Sequence, residues 1–510
     1  MLSRERLAWV VVLVGSLIIA VLSARPYAGS WNDGSRLASV EALVDHGTLA
    51  VDQTIFVQSH LQPSPYPLDD ELLQRFGTKD KLFINGHYYS DKSPIPSFGM
   101  AGVYQTWRWL GGPSASEQPD LFCLLMTFTF SGIAYVIAVG CLFAIVRHVG
   151  LGLGASSAVT ALFALGTVAL PYAQHVNNHI LLLAVAAIMF LHLLHAEQSG
   201  WTIGKSLGIG TLLGMGYTID LAAGPMLAFA MGILALSRER LGFTILGALP
   251  WVIAHHIVNY QIGGTIGPAN AVPEYFEWPG SPFNASNMTG GWVHASIFKA
   301  SFYALDMLFG HKGFLGHNLI LFLPLVMLQR LFRASYRERP IILTGLYWCV
   351  GTWLLYAATS KNLSGGCCSI RWLVPLLIPG FTALAVVLRD YPSTKVDALI
   401  LGTGSIMLGM GMAVRGPWYM KHMPFYVIIY ITTLVIAIGY RVWVRRRTAE
   451  RKWRDAAEAE CRNVGPRWLH TALLRSFLRF AKKGSGVKPP PSKNLSTDFA
   501  NPTPPTANNG

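Results

Sequence analysis

Charge is what this sequence has least of. Only 13% of its 510 residues are Asp, Glu, Lys or Arg, with 26 acids against 40 bases. A soluble chain of this length needs more polar surface, because charged side chains cover the outside of a globule and are nearly absent from its core. Cysteine is scarce as well: Cys123, Cys141, Cys349, Cys367, Cys368 and Cys461 complete the set. None stands at metal-ligand spacing from a histidine, and adjacent cysteines such as Cys367 and Cys368 rarely bridge each other, so all six read as structural. There is no Walker loop, no dinucleotide fingerprint and no HExxH helix, which leaves soluble nucleotide-sugar or ATP chemistry without support. No fixed-period internal repeat is present.

What the chain has in quantity is apolar sequence. Hydrophobic residues make up 52% and the mean hydropathy is +0.40. Several runs approach the roughly 20 residues that cross a bilayer. The expected class is an all-α, multi-pass bundle of about twelve spans, near 7–24, 120–146, 153–172, 179–196, 206–220, 222–237, 241–259, 314–331, 341–358, 371–388, 396–414 and 423–441. Arg4 and Arg6 precede the first run, and Ala24-Arg25-Pro26 is a poor cleavage site, so that run reads as a retained helix. With both termini cytoplasmic, Arg147, Lys205, Arg238-Glu239-Arg240, the bases from Arg330 to Arg339, Arg389 and Lys395 fall inside, as the positive-inside rule asks. Arg415 and Lys421, in one short outer turn, run against it. The expected location is the plasma (inner) membrane.

This divides the chain into a transmembrane domain, 1–442, a basic cytoplasmic amphipathic tail, 443–483, and a disordered end, 484–510. The tail contains an amphipathic stretch at 468–483, suited to anionic lipid. Much of the formal charge of +14 thus belongs to membrane anchoring, and nucleic acid is not an expected partner. Three segments lie outside. The loop 25–118 is too long for a connector. Within it, 35–46 has an apolar stripe at Leu37, Val40, Leu43 and Val44 followed by Gly47, which predicts a short helix on the membrane surface. Residues 95–110 predict a second amphipathic or re-entrant helix, with Trp107 and Trp109 at the interface. The other two segments are an aromatic loop rich in Gly, Pro and Asn, 260–313, and the turn 361–370.

The scarce polar residues outside the spans are the candidates for chemistry. Asp33, in Trp31-Asn32-Asp33-Gly34-Ser35-Arg36, suits a helix N-cap and equally a fixed general base, and the two roles are compatible. Asp91-Lys92 suits a surface ion pair or, beside Pro94 and a helix returning to the membrane, a lysine for a lipid phosphate with Tyr89 nearby. His175, Asn178 and His179 join two spans on the outer side and have the groups that read sugar hydroxyls. A metal on His175 and His179 at i, i+4 lacks a neighbouring acid, so no metal or other cofactor is expected. Asp220 and His255-His256 read as a span boundary and structural histidines. Lys312 and Arg371 place bases at outer boundaries, suited to snorkelling or to a phosphate leaving group.

Taken together these residues resemble the GT-C superfamily of polytopic glycosyltransferases, above all its bacterial protein-mannosyltransferase and aminoarabinose-transferase-like branch. The line WNDGSRLASVEALVDHGTLAVD is similar to the acidic start of that branch's first surface helix. Ser90-Asp91-Lys92-Ser93-Pro94 resembles its D-K-P-P patch, and GGCCSIRWLVPLLIP a glycine-arginine-proline stretch of related membrane proteins. The resemblance spans roughly 5–440. It implies an inverting transferase on the extracytoplasmic face, with a polyprenyl-phosphate sugar donor and a glycan, lipid or protein acceptor. Carried over, Asp33 would be the base, and Lys92, Arg371 and Lys312 would meet the donor phosphate. Asp91, Tyr89, His175, Asn178 and His179 would contact substrate. The chain lacks the second acid that often follows Asp33 in that branch, and Ser93 replaces a proline. A twelve-span secondary transporter and a non-catalytic envelope-assembly protein are the alternatives.

Overall fold

A computed structural model describes residues 4–58, 78–236, 241–283, 291–333, 338–418 and 423–463. The chain divides into two units, Met1–Ala437 and Ile438–Gly510. The first is a helical bundle. It opens with α1 (Arg4–Ser23), α2 (Trp31–Asp45) and the single turn α3 (Ile55–Gln58). A hairpin follows, β1 (Lys81–Ile84) and β2 (His87–Ser90), and then α4 (Pro94–Trp109). The bundle proper runs through α5 (Pro119–Met126), α6 (Ile133–Val149), α7 (Leu153–Leu165), α8 (Ala169–Ala173), α9 (Asn178–Ser199), α10 (Ile203–Ile219), α11 (Ala223–Leu236) and α12 (Leu241–Gly263). After α13 (Ile297–Phe309) come the short α14 (Phe314–His317), α15 (Phe322–Val326) and α16 (Leu328–Arg333), then α17 (Arg339–Thr359), α18 (Leu377–Asp390), α19 (Lys395–Arg415) and α20 (Tyr426–Asn463).

Among the described residues, eight helical stretches are long and apolar enough to cross a membrane. They match the expected spans at 7–24, 120–146, 179–196, 241–259, 341–358, 371–388, 396–414 and 423–441. The remaining four are shorter or broken. The segment 153–172 stops at Gly166 before the five-residue α8, and 314–331 is split into α14, a 3-10 turn, α15 and α16. Gly316, Asn318 and Pro324 interrupt that apolar run, and each of these residue types weakens a helix interior. The outward faces of α1 and α12 are apolar: Leu22 is 80% exposed and Ile257 53%. In a bundle of this composition such faces belong against lipid. The buried core centres on α6, α9 and α18, with Phe143, Phe163, Phe190, Trp348 and Phe381 fully enclosed.

Three features add to the expected helical bundle. One is a short hairpin beside the helices. Asn85 (φ 53°) and Gly86 (φ 87°) form a two-residue hairpin turn between β1 and β2, the left-handed pair that an Asn-Gly dipeptide supplies. The segment 260–313 is not all loop, because α13 buries Ala300, Ala304 and Met307 on one side and exposes Ile297, Phe298 and Phe302 on the other. The helix expected on the membrane surface is enclosed by protein: Leu37, Ala38, Val40 and Ala42 are all 0–1% exposed, packed with Phe56, Met100, Tyr104 and Phe122. In the second unit, the described residues continue α20 past Arg445-Arg446-Arg447 to Asn463. The stretch 468–483 and the end 484–510 lie outside the described residues.

Candidate active site

Helix α2 begins one turn earlier than its apolar stripe indicates, and this settles the local role of Asp33. The N-cap is Ser30, not Asp33. The Asp33 amide donates to Ser30 Oγ (3.4 Å), while the Ser30 hydroxyl donates back to Asp33 Oδ1 (2.8 Å). The pair is a variant of the capping box: an acid in the third helical position reaches back to the N-cap, but to the Ser30 hydroxyl and not to its amide. The Gly29 amide donates to Asp33 Oδ2 at 3.0 Å. Asp33 is completely buried. Burial pushes its carboxyl up, and only partly do Ser30, Gly29, Arg36 and Arg371 pull it back, leaving it at about 7.

His175 is packed directly against it. Its Nδ1 stands 3.4 Å from Asp33 Oδ2, and the ring is 2% exposed. The rings of Tyr27 and Trp418 cross it edge-on at 5.4 Å and 6.3 Å. The turn that presents His175 is fixed from two sides. The Arg25 amide donates to the Gln174 carbonyl (3.0 Å), and the Asn177 amide donates to Ser131 Oγ (2.8 Å) at the end of a π-helical turn, Thr127–Gly132. Gly29 makes this closeness possible, since a Cβ there would lie 2.5 Å from both His175 Cε1 and Trp418 Cδ1. Gly29→Ala is therefore expected to cost about 1–3 kcal/mol of stability, read as a lower unfolding temperature of the detergent-solubilised protein. An unchanged temperature would mean that the His175 ring is free to move.

The two polar patches of the segment 25–118 meet. Ser35 Oγ lies 2.6 Å from Ser90 Oγ and donates to Asp91 Oδ1 at 3.1 Å. Lys92 Nζ donates to Asp91 Oδ2 (2.7 Å) and to Asp80 Oδ2 (2.8 Å), with all three side chains at least 87% covered by the fold; their exposures are 13%, 12% and 13%. Burial and the neighbouring Asp80 push the Asp91 carboxyl up, whereas Lys92 holds Asp80 below the usual carboxylate range in spite of its burial. Arg36, 5% exposed, hydrogen-bonds Asn32 through both its carbonyl and its side chain. Burial lowers Arg36 to about 10, against the opposing pull of Asp91 and Asp33.

Arg371 reaches the same cluster from the far end of the chain. It is among the charges acting on Asp33, Arg36 and Asp80. Its guanidinium lies over the Trp418 ring at 5.3 Å, and its Nε is buried without a hydrogen-bond partner among the described residues. The turn before it is unusual, with Leu363 (φ 47°), Ser364 (φ 61°) and Gly365 (φ 84°) consecutively left-handed. Such backbone is costly for residues other than glycine and gathers at functional sites. Lys312 Nζ donates to the Gly365 carbonyl at 2.6 Å, so Lys312 braces that turn. Cys367 and Cys368 are buried free thiols within it.

No protein-family model and no curated protein sequence matches the chain. Solved structures do. ArnT from Cupriavidus metallidurans bound to undecaprenyl phosphate superimposes with a TM-score of 0.50 at 14% identity, over 86% of this chain and 72% of that one. The fold is that of the GT-C glycosyltransferases. The apo form of the same ArnT gives 0.45 at 12% identity, over 85% of this chain and 76% of that one. The Archaeoglobus fulgidus oligosaccharyltransferase gives 0.39 at 13%, over 83% and 56%.

Within the GT-C fold, the residues picked out from the sequence fall into separate groups. Asp33, His175, Asp91, Lys92 and Arg371 belong to one network. Tyr89 does not reach Asp33; it packs on the cluster of Leu82, Ile84, Ala269 and Phe276. Asn178 and His179 form a second cluster around Asp220. His179 Nδ1 stands 3.1 Å from Asp220 Oδ2, and Tyr356 Oη donates to Asp220 Oδ1 at 3.0 Å. His175 and His179 are not i, i+4 on one helix, since α9 begins only at Asn178; each faces a different carboxylate. Among the described residues no group of three or more His, Cys, Asp or Glu is placed to hold a metal ion. Asp80, Arg36, Ser30 and Trp418 are site residues the sequence reading did not select.

Proposed function

We propose that the chain transfers a sugar from a polyprenyl-phosphate donor to a hydroxyl-bearing acceptor on the extracytoplasmic face, with inversion, and that Asp33 is the base. The observation that supports this most is the meeting of Asp33, Arg36, Lys92 and Arg371, which come from three segments of a chain that is poor in charge. Burying four ionisable groups together is expensive unless they are used or paired. The acceptor oxygen attacks the anomeric carbon while its proton passes to the Asp33 carboxylate. The bond from that carbon to the phosphate oxygen breaks, and its electron pair leaves with the phosphate. Arg371 meets the phosphate as a planar two-pronged donor. Bound undecaprenyl phosphate in the ArnT structure supports a polyprenyl phosphate as the lipid carrier. The test is transfer of label from a panel of radiolabelled polyprenyl-phosphate sugars by membranes containing the full chain, compared with membranes containing Asp33→Asn. Equal transfer by both membranes would overturn the reading.

Lys92 enters this scheme with its charge already shared by Asp80 and Asp91, so a donor phosphate has to compete with Asp80 for the ammonium. Asp80→Asn is expected to lower the donor KM about tenfold, equivalent to about 1.4 kcal/mol, with little change in kcat. A raised KM would instead make Asp80 the group that aims Lys92.

A further inference from the structure

His175 has no place in the chemistry just described, yet its ring stands directly against the proposed base. It is buried, its Nδ1 has no hydrogen-bond partner among the described residues, and that atom faces Asp33 Oδ2 at 3.4 Å. Asp33 Oδ1 is already engaged by the Ser30 hydroxyl, and Oδ2 receives only the Gly29 amide. A buried polar atom left unpaired costs about 1–3 kcal/mol. Two unpaired lone pairs facing each other away from water would cost more still. One proton on the line between Nδ1 and Oδ2 removes both penalties, whether nitrogen or oxygen carries it. Catalytic hydrogen bonds are often this long before substrate binds.

We propose that His175 is a positioning residue for Asp33, holding one shared proton between its Nδ1 and Asp33 Oδ2 and so setting the proton affinity of the base. This assigns His175 a role other than the sugar contact expected of it, and it rests on Asp33 being the base. The base form of the pair is the one without this proton. In the transfer step the acceptor's proton fills the empty place, resting on Asp33 Oδ2 with Nδ1 as its hydrogen-bond partner, and it leaves to solvent before the next turnover. The site is built to keep the pair in register. Tyr27 and Trp418 clamp the ring, and Gly29 leaves room for it. Ser131 fixes the following residue, Asn177. The other ionisable groups that face the pair are Arg36 on α2, Arg371 on the turn before α18, Cys123 on α5 and Arg25 after α1. Both arginines that act on Asp33 favour its ionised form. Burial pushes the histidine down to about 3, below the Asp33 carboxyl at about 7, so the exchangeable proton of the pair belongs to the carboxyl and not to the imidazole.

The experiment is an infrared pH titration of the purified full-length protein without substrate. The protonated carboxyl band of Asp33 is identified by its loss in Asp33→Asn. In His175→Phe, which keeps a ring but has no polar atom, the midpoint of that band is expected to move by about one pH unit or more, a tenfold or larger change in proton affinity. His175→Gln, which keeps a hydrogen-bonding group, is expected to move it less. If His175→Phe does not fold, the smaller shift in His175→Gln against the native protein decides. An unmoved midpoint in a folded variant overturns the shared proton. Because no sugar transfer is measured, that failure is distinct from a failure of the glycosyltransferase reading, which the Asp33→Asn transfer assay tests separately.

Discussion

Asp33→Asn is expected to reduce sugar transfer by about 10²–10⁴-fold, the usual worth of a positioned general base, while leaving the protein at least as stable as before. Both halves follow from the burial of Asp33. The carboxyl stands near 7 in the fold against 3.8 for an unperturbed aspartate, chiefly because it is buried. The fold therefore favours the protonated form. Stability from this source is complete below the unfolded value and is lost as pH rises through about 7. Asparagine has the same shape and cannot ionise, so it escapes that loss. At alkaline pH the variant should unfold at the same or a higher temperature than the native chain, although it is inactive. An inactive variant that also unfolds early would give no support to a base; an active one would remove Asp33 from the chemistry.

The same value fixes the direction of the pH profile. A base works only when it is unprotonated, so transfer should be slow below pH 7 and rise as the pH passes through about 7. This is near the optimum for a base working at neutral pH, where the group is both available and basic enough to take a proton. The unperturbed aspartate value would have put the rise three units lower. The position of this acid limb thus distinguishes a buried base from an exposed one.

Part of this site was legible in the sequence because charge is so rare in it. Asp33, Lys92 and Arg371 stood out as ionisable residues just outside apolar runs, and the two patches of the segment 25–118, linked in the structure by Ser35, Ser90 and Asp91, were recognisable as polar islands. The missing members were hidden for identifiable reasons. Asp80 lies in Lys79-Asp80-Lys81, which reads as ordinary solvated charge; only the fold brings it back to Lys92. Trp418 lies between Arg415 and Lys421, the bases that run against the positive-inside pattern, and an indole there passes for an interfacial anchor. Ser30 was overlooked because the apolar stripe begins at Leu37, and a helix stripe does not mark the polar turn that precedes it. The Asn85-Gly86 signal was present, between KLFI and HYYS, but a four-residue strand is easily lost beside membrane spans. The split of 314–331 depends on glycine, asparagine and proline within an otherwise apolar segment, where hydropathy alone sees a single span.

Arg371→Lys is expected to lower kcat/KM for the lipid-phosphate donor by about 10²-fold, the scale of losing one preorganised donor to a developing negative charge. Lysine keeps the charge and loses the planar fork, and it stacks less well on Trp418. The guanidinium is suited to this task by what it lacks. Lys92 is held by two carboxylates and Lys312 by a carbonyl, whereas Arg371 has an Nε with no partner among the described residues and rests on an aromatic face. A donor phosphate can bind there without breaking an existing ion pair. Arg371 also favours the ionised form of Asp33. Arg371→Gln should therefore do two things at once: weaken binding of undecaprenyl phosphate to the full chain, and move the alkaline rise of the transfer rate to higher pH. Arg371→Lys should weaken binding and leave the rise nearly where it was, because the charge remains. The two variants separate recognition of the phosphate from electrostatic support of the base. If both bound undecaprenyl phosphate as tightly as the native chain, the phosphate would have to be assigned to Lys92, with Asp80 displaced whenever the donor binds.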